Sequence, residues 1–295
     1  MNKGMLYAVG AYTLWGFFPI YWKMLQDVPA SEILGHRMVW SFLFVTAVLA
    51  FQRRWDWLEP ILKNRRVLLL SVLTGFMLAV NWLVFLWAVN NGFIVESSLG
   101  YFINPLVSVV MGVLFLRERL RPVQWTAVAI AAVGVIYLTV GYGSPPWIAL
   151  TLAGSFGLYG LLRKTGALNS IQGLAMETAA MFPFAILFLL YLAVNQQGHF
   201  IQGGVQTTLL LALGGAVTAV PLILFAAGAR RIPLSMVGIL QYIAPTLQFL
   251  IGVFVYHEPF TKERLVGFGI IWFALFIYTV EGLVIYSKRP SHAAR

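Results

Sequence analysis

The chain alternates between long apolar runs and short polar connections, and the length of the runs indicates the fold class. The runs mostly cover about 17 to 23 residues, the length that an α-helix needs to cross a hydrocarbon core of about 30 Å. Because open strands leave backbone groups unsatisfied in lipid, the pattern predicts an all-α polytopic membrane protein. Ten transmembrane helices are predicted: Gly4–Trp22, Ser31–Phe51, Val67–Val89, Val95–Leu116, Pro122–Val140, Pro146–Leu162, Gln172–Val194, Gln206–Ala229, Leu234–Tyr256 and Leu265–Ile285.

The connections are too short for a soluble domain. The longest, Gln52–Arg66, mixes tryptophans with basic residues and is predicted to lie at the membrane interface. The first run extends to Trp22, contains Pro19 and lacks a small-x-small cleavage site, so we interpret it as a retained span and not a secretion signal. Charged residues make up 10% of the chain, against about 25% in soluble domains.

The second half of the chain repeats the first half at a distance of 140 residues. The register holds without a gap from about Leu34 and Leu174 to Glu118 and Glu258. It predicts two units, residues 1–141 and 142–286, followed by a cytoplasmic tail, residues 287–295. The most informative matches involve glycine, proline and the rare glutamate: Gly75 with Gly215, Pro105 with Pro245, Gly112 with Gly252 and Glu118 with Glu258.

The number of spans in each unit decides how the two units are related. Each unit has five predicted spans, and an odd number makes the second copy enter the membrane from the opposite side. The fold class is therefore two inverted five-helix repeats, and exchanging their conformations turns an inward-facing cavity outward. This architecture predicts a transporter that works by alternating access, although a duplication can also serve only to build a stable bundle.

The distribution of basic residues predicts the orientation. If the N-terminus is cytoplasmic, the outer side carries only Lys23, Lys262 and Arg264 of the 20 basic residues, apart from Arg37 inside a span. This bias follows the positive-inside rule and predicts a multi-pass protein of the cell membrane, the bacterial inner or plasma membrane, with both termini cytoplasmic. The formal charge of +10 is then a topogenic signal, and nucleic acid is not an expected partner.

Prolines inside the spans predict bent helices. Pro105 and Pro245 lie at the middle of the fourth and ninth predicted spans, where each lacks an N–H and should kink its helix. Gly112 and Gly252 follow seven residues later and permit close helix approach. Such kinks serve either a cavity or packing alone, and the sequence leaves both open.

Six segments carry a resemblance to a known family: Asn81–Phe85, Trp87–Asn91, Glu96–Pro105, Arg117–Leu120, Ser155–Lys164 and Gln241–Leu247. They are similar to the RarD branch of the EamA-type transporters, within the drug/metabolite transporter superfamily. One departure is His257, which precedes Glu258 where a small residue is more usual.

The resemblance implies a fold and an activity for the whole chain. It implies ten helices in two inverted repeats, both ends in the cytoplasm, and secondary transport of small molecules, usually export. The first, third, fourth, sixth, eighth and ninth helices would line a central cavity. The name of the RarD branch is linked to chloramphenicol sensitivity, without an established substrate.

Four ionisable residues within the spans are candidates for gating or coupling: Arg37, Glu96, Arg163 and Glu177. Each costs roughly 2.5 to 3.5 kcal/mol at a helix centre. Depth favours pairing Arg37 with Glu96 near the outer side and Glu177 with Arg163 near the inner side. Our hypothesis is that the two pairs act as gates, or that one of the glutamates, Glu96 or Glu177, carries a coupling proton. The alternatives are that the pairs are structural and that Arg37 snorkels towards the membrane surface.

Polar and aromatic residues on the predicted cavity helices are candidates for substrate binding: Trp15, Asn81, Trp82, Tyr101, Asn104, Tyr159, Gln241 and Tyr242. Amides orient a ligand through hydrogen bonds, and tryptophan and tyrosine offer flat amphipathic surfaces. The alternative for each aromatic residue is an anchor at the membrane interface. Because the cavity helices lack a run of acidic residues, small neutral, zwitterionic or aromatic solutes are expected and a dication is not.

Several chemical classes lack their signatures in the sequence. The chain has no G-x-x-x-x-G-K-[ST] motif and no cysteine, its two aspartates fall in loops, and its four histidines have no ligand spacing. We therefore expect no enzyme activity, no cofactor and no metal site. The partners expected are a small-molecule substrate, the lipid bilayer and, as a candidate coupling ion, protons. A channel or passive facilitator for small solutes is the alternative function.

Overall fold

The computed structural model describes residues 3–53, 55–116, 120–142, 145–165, 168–229, 231–232 and 240–288. All regular elements in these ranges are helices, which confirms the all-α prediction. They are α1 Lys3–Gly16, α2 Phe18–Lys23, α3 Ala30–Gln52, α4 Leu58–Leu62, α5 Arg65–Asn90, α6 Ile94–Leu116, α7 Pro122–Tyr142, α8 Trp147–Thr165, α9 Ser170–Val194, α10 Gly204–Ala229, α11 Ile243–Leu250 and α12 Lys262–Lys288. A π-helical turn, Ile251–Val255, extends α11.

Six of the helices contain segments that are long and apolar enough to cross a membrane: Ala30–Gln52, Arg65–Asn90, Pro122–Val140, Ile171–Val194, Gly204–Phe225 and Lys262–Glu281. Their ends agree closely with the sequence. For example, the second predicted span, Ser31–Phe51, is observed as α3. The predicted interfacial segment contains the short helix α4, which has no buried residue.

The first predicted span is not one continuous helix. It breaks at Phe17, between α1 and α2. The cause is Pro19, which has no N–H to donate to the carbonyl of Trp15 four residues earlier. The side chain of Gln248 on α11 donates from Nε2 to this freed carbonyl at 3.1 Å instead. The break is therefore stabilised by a residue 233 positions away.

The ninth predicted span is also interrupted. Residues 233–239 lie outside the described residues, and α11 begins at Ile243 after a turn at Gln241 and Tyr242. Pro245 thus lies in the first turn of a helix. The sequence had predicted that it would lie at the middle of one. The missing N–H of Pro245 would have bonded Gln241, which explains where the helix breaks. The fourth span forms α6 through Pro105, whose side chain lies outside the described residues, so its kink stays a prediction.

Helices from the first half of the chain, α1 to α7, pack mainly against helices from the second half, α8 to α12. Among the described residues, the most extensive pairings all join the two halves. They are α6 with α8, α7 with α12, α3 with α10, α1 with α10, α3 with α9, α5 with α8, α5 with α9, α1 with α11 and α6 with α11. Neither half therefore forms a separate core.

Two glycines that match in the repeat allow close approaches between helices of the two halves. A Cβ at Gly75 would lie 3.0 Å from the backbone oxygen of Glu177 on α9. A Cβ at Gly215 would overlap the backbone of Trp40 on α3. Both glycines therefore place a helix of one half directly against the backbone of the other half, as small residues do in membrane helix packing.

Charged side chains cap both helix ends at the turn between α5 and α6. Lys23 Nζ donates to the carbonyls of Val89 and Asn90, at 3.2 Å and 3.1 Å, at the end of α5. The carboxylate of Glu258 accepts from the N–H groups of Ile94 and Val95, both at 2.8 Å, at the start of α6. Both charges have the sign that stabilises the helix dipole at their end.

The residue before this capping glutamate has an unusual backbone conformation. His257 adopts φ 50°, in the left-handed region that favours glycine. This conformation gives a physical reason why a small residue is usual before Glu258.

Candidate functional site

Arg37 is the most unusual buried residue of the bundle. It lies seven residues after the start of α3, roughly 10 Å along the helix axis, and its exposure is 3%. Its Nε donates to Thr218 Oγ1 on α10 at 2.7 Å. Its Nη1 has no hydrogen-bond partner in the described part of the chain. The guanidinium is therefore only partly satisfied by the protein.

Aromatic rings surround this guanidinium. Its central carbon lies 3.8 Å from the ring centre of Trp82 on α5 and 5.1 Å from that of Trp22 on α2. Phe18 lies at 5.7 Å. Cation–π contacts of this kind contribute about 2 kcal/mol when desolvated, which offsets only part of the several kcal/mol that a buried ion costs.

Asn81 on α5 connects three helices through its side chain. Its Nδ2 donates to the carbonyl of Leu152 and to Ser155 Oγ, both on α8 and both at 3.0 Å. Its Oδ1 accepts from the hydroxyl of Tyr101 on α6 at 3.2 Å. Tyr101 in turn is close enough to Arg37 for an electrostatic interaction. The predicted residues Asn81, Trp82 and Tyr101 are thus brought to one region around Arg37.

Glu177 lies on α9 and is 1% exposed. Its Oε2 accepts from the hydroxyl of Tyr159 on α8 at 3.3 Å. The side chain of Arg163, the partner predicted for it, lies outside the described residues. The two predicted residues Glu177 and Tyr159 are therefore in direct contact.

Glu96 does not pair with Arg37, because each has other partners. Glu96 lies near the backbone N–H groups of Ile148 and Ala149, in the first turn of α8, and near Arg264. A cavity of about 220 Å³ lies beside it, lined also by Phe93, Trp147 and Arg264. The predicted depth of Glu96 and Arg37 in the membrane suggested that they lie near each other. In the structure, their helices direct the two side chains towards different neighbours.

The remaining candidates are spread over the bundle. Trp15 packs its ring against Phe225 of α10 at 5.7 Å. Asn104 is 3% exposed, and its Oδ1 has no hydrogen-bond partner among the residues described. Tyr242 stacks on Phe102 at 6.3 Å and lies near Thr279. Gln241 lies in the turn before α11.

Two polar residues at these contacts were missed by the sequence reasoning. Thr218 is 1% exposed and binds Arg37, and Gln248 is 3% exposed and binds the carbonyl freed by Pro19. The available signal was a polar side chain within an apolar run. The sequence could not reveal their partners, because these lie 181 and 233 residues away.

A further cluster joins two histidines that have no ligand spacing in the sequence. Glu32 on α3 is 1% exposed and accepts from the backbone N–H of His199 at 2.6 Å. The Nδ1 of His199 lies 2.8 Å from Glu32 Oε2, and His36 Nε2 lies 4.0 Å from Oε1. Within the described ranges, no group of three or more histidine, cysteine, aspartate or glutamate residues could hold a metal ion. The contacts of His199 with Glu32 fasten the loop between α9 and α10 to α3.

Comparison with known proteins agrees with the resemblance in the sequence. The model of the EamA-like transporter family matches the chain twice, over residues 2–140 and 145–280. The transporter YojE of Bacillus subtilis (strain 168) is 50% identical over 99% of this chain and 98% of that protein. Protein RarD of Streptomyces exfoliatus is 48% identical over 96% of this chain and 90% of that protein.

A solved crystal structure has the same fold. It superposes with a TM-score of 0.62 over 95% of this chain and 98% of that one, at 16% identity. The described helices include six that can span a membrane, and the family match covers nearly the whole length. The chain therefore belongs to the EamA-like transporter family, in its RarD branch, and is a multi-pass membrane transporter.

Proposed function

We propose that this protein is a secondary transporter that exports small organic metabolites or drugs by alternating access. The observation that carries the proposal is the symmetry of the helix pairings. The shift of 140 residues takes α1 and α2 to α8, α3 to α9, α5 to α10, α6 to α11, and α7 to α12. When each helix in the extensive pairings is replaced by its counterpart in the other half, the same set of pairings results. For example, the pairing of α6 with α8 becomes the pairing of α11 with α1.

Individual contacts support the same symmetry. A Cβ at Gly16 would meet Leu247, and a Cβ at Gly157 would meet Val107. Val107 and Leu247 are 140 residues apart, and Gly16 and Gly157 are 141 apart. Together with the two matches of one family model, these contacts support two inverted repeats of five spans, residues 1–141 and 142–286. In such folds, exchanging the two conformations moves access from one side to the other.

The proposed binding region lies between the halves. Trp82, Tyr101, Asn81 and Tyr159 contact the solute there, and Trp15, Asn104, Gln241 and Tyr242 extend the surface along the cavity helices. The broken helices beside Pro19 and Pro245 provide the flexible points that such a transition requires. Arg37 and Glu177 control access or coupling, with Glu96 and Arg163 nearer the membrane surfaces.

The transport mode is tested by counterflow. The purified protein is reconstituted into vesicles that are loaded with unlabelled solute and diluted into labelled solute. Candidate solutes come from a thermal-shift screen of metabolites and drugs, since a ligand of the folded state raises its stability; chloramphenicol is included because of the family resemblance. A carrier gives a transient overshoot of label, whereas a channel or passive facilitator gives simple equilibration and contradicts the proposal.

Two variants provide the matched comparison. Asn81→Leu removes the amide that joins α5, α6 and α8, and counterflow should fall about tenfold or more. Thr126→Val changes an exposed hydroxyl that bonds only within α7, so counterflow should be unchanged. Equal activity of both variants, with equal thermal midpoints, counts against the proposed site.

Proton coupling is tested with two conservative substitutions. A pH gradient across the vesicles should drive net flux, and Glu96→Gln or Glu177→Gln should abolish that dependence if the residue carries the proton. Full proton-driven flux in both folded variants excludes both residues as carriers.

The proposed orientation, with both termini cytoplasmic, can be tested by labelling because the natural chain has no cysteine. Single cysteines replace Lys63 and Lys262, which are both exposed. A membrane-impermeant maleimide should label Lys262→Cys and spare Lys63→Cys in intact cells. The reverse pattern contradicts this orientation.

A further inference from the structure

Arg37 carries a positive charge that no carboxylate among the described residues balances. Its side chain is buried, and no carboxylate within the described ranges forms an ion pair with it. Thr218 accepts from Nε, while Nη1 has no hydrogen-bond partner among the residues that the structure describes. A guanidinium stays protonated at all physiological pH values, so Arg37 does not avoid the cost of burial by losing its proton.

The unused part of the guanidinium defines the chemistry of a missing partner. With Nε occupied, the outer edge remains, and it presents two parallel N–H donors in a planar fork. This geometry matches a carboxylate better than a single carbonyl or hydroxyl oxygen. We infer that Arg37 binds the carboxylate of the transported solute and that the substrates are small organic acids.

The neighbours of Arg37 describe the rest of the ligand. Trp82 lies at 3.8 Å and Trp22 at 5.1 Å from its guanidinium carbon, so the wall next to the charge is flat and apolar. Asn104 lies one helical turn after Tyr101 on α6, and its buried Oδ1 has no partner in the described part of the chain. The expected solute has an aromatic or apolar body beside its carboxylate and a hydrogen-bond donor farther away.

The position of Arg37 between the halves fits this role. It lies on α3, its hydroxyl partner lies on α10, and its aromatic neighbours lie on α2 and α5. An anion at this place contacts both halves at once, as a solute must in alternating access. The inference rests on the proposed transport function and names its substrate class.

The test compares acids with their uncharged amides. Binding to purified protein is measured by thermal shift and by quenching of tryptophan fluorescence, using phenylacetate with phenylacetamide, indole-3-acetate with indole-3-acetamide, and benzoate with benzamide. We expect at least one acid to bind about tenfold tighter than its amide. Equal affinity within every pair, or no binding by any of the three acids, overturns the inference.

Variants then locate the charge that is recognised. Arg37→Gln should remove the preference for the acid, and Arg37→Lys, which keeps the charge without the planar fork, should retain part of it. The matched control is Arg231→Gln, because Arg231 also lies over an aromatic ring, Tyr7 at 5.5 Å, but is exposed. A preference that survives in folded Arg37→Gln, or is lost in Arg231→Gln, overturns the assignment to Arg37.

Flux separates this inference from the proposed function. Acid binding at Arg37 without movement of any solute contradicts transport and supports the site. Flux of the amides without the acids supports transport and overturns the site. Flux of the acids that is lost in Arg37→Gln supports both.

Discussion

Positions 37 and 177 are counterparts in the repeat, yet they have opposite charges and different surroundings. Arg37 is enclosed by the rings of Phe18, Trp22 and Trp82. The residues 140 positions after these rings are Leu158, Leu162 and Leu222. Glu177 instead accepts a hydrogen bond from the hydroxyl of Tyr159.

This difference shows which features the two halves share and which belong to one half. The matched glycines Gly75 and Gly215 both hold helices of opposite halves together. The three rings around Arg37, in contrast, are replaced by leucines at the matching positions of the second half. We conclude that the helix packing is common to both halves, whereas the side chains that face Arg37 are specific to its site.

The largest expected effect comes from the shared packing. Gly215→Ala should destabilise the protein by at least about 3 kcal/mol, because the new methyl group overlaps the backbone of Trp40. Gly75→Ala should cost less, about 1 to 2 kcal/mol, since the new methyl group would lie 3.0 Å from the backbone oxygen of Glu177 and crowds it without overlapping it. Denaturant unfolding in detergent measures both values. Gly154→Ala, with open space around its Cβ, is the control; an equal loss in all three variants refutes the packing role.

The aromatic surroundings of Arg37 give the next largest effect. Trp82→Leu makes this position resemble its counterpart Leu222 and should cost about 2 to 3 kcal/mol, because it removes both buried area and a cation–π contact. Trp125→Leu is the control, since Trp125 is 52% exposed. If the two substitutions lower the unfolding free energy equally, the ring does not serve the cation.

The hydroxyl partner of Arg37 should contribute less. Thr218→Val keeps the shape and removes the acceptor of Nε, and we expect a loss of about 1.5 kcal/mol, typical of a hydrogen bond to a charged group. The counterpart of Thr218 is Leu78, so the position that corresponds to it in the first half offers no hydroxyl to Glu177. The unfolding free energy of Thr126→Val provides the reference, and a neutral Thr218→Val contradicts the assignment.

The smallest effect tests whether the common features extend to the helix ends. Glu258→Gln weakens the cap on α6 and should cost about 1 kcal/mol. Its counterpart Glu118 lies outside the described residues, and the repeat predicts a similar loss for Glu118→Gln. If only Glu258→Gln lowers the stability, the features that the two halves share are confined to the middle of the bundle and do not include the helix ends. Glu59→Gln, at an exposed pair with Lys63, should have almost no effect.

Most of the fold could be predicted because helix length and apolar pattern are local properties. The ends of α3 and α9 follow directly from the apolar runs, and the depth of Arg37 follows from its place along α3. The direction in which the Arg37 side chain points around the helix axis does not follow from the sequence. The predicted pairing of Arg37 with Glu96 is therefore not observed in the structure. The breaks at Phe17 and Tyr242 involve prolines visible in the sequence, but the choice between a kink and a break depends on distant partners such as Gln248.

The hydrogen bonds of Arg37 also set a condition on biosynthesis. Its acceptor Thr218 follows 181 residues later, and a ribosome needs on the order of 10 to 40 s to add that many residues. Asn81 must wait in the same way for Leu152 and Ser155. The nascent first half therefore enters the bilayer with polar groups that only the second half satisfies, and an arrested or truncated chain exposes them to the insertion and quality-control machinery.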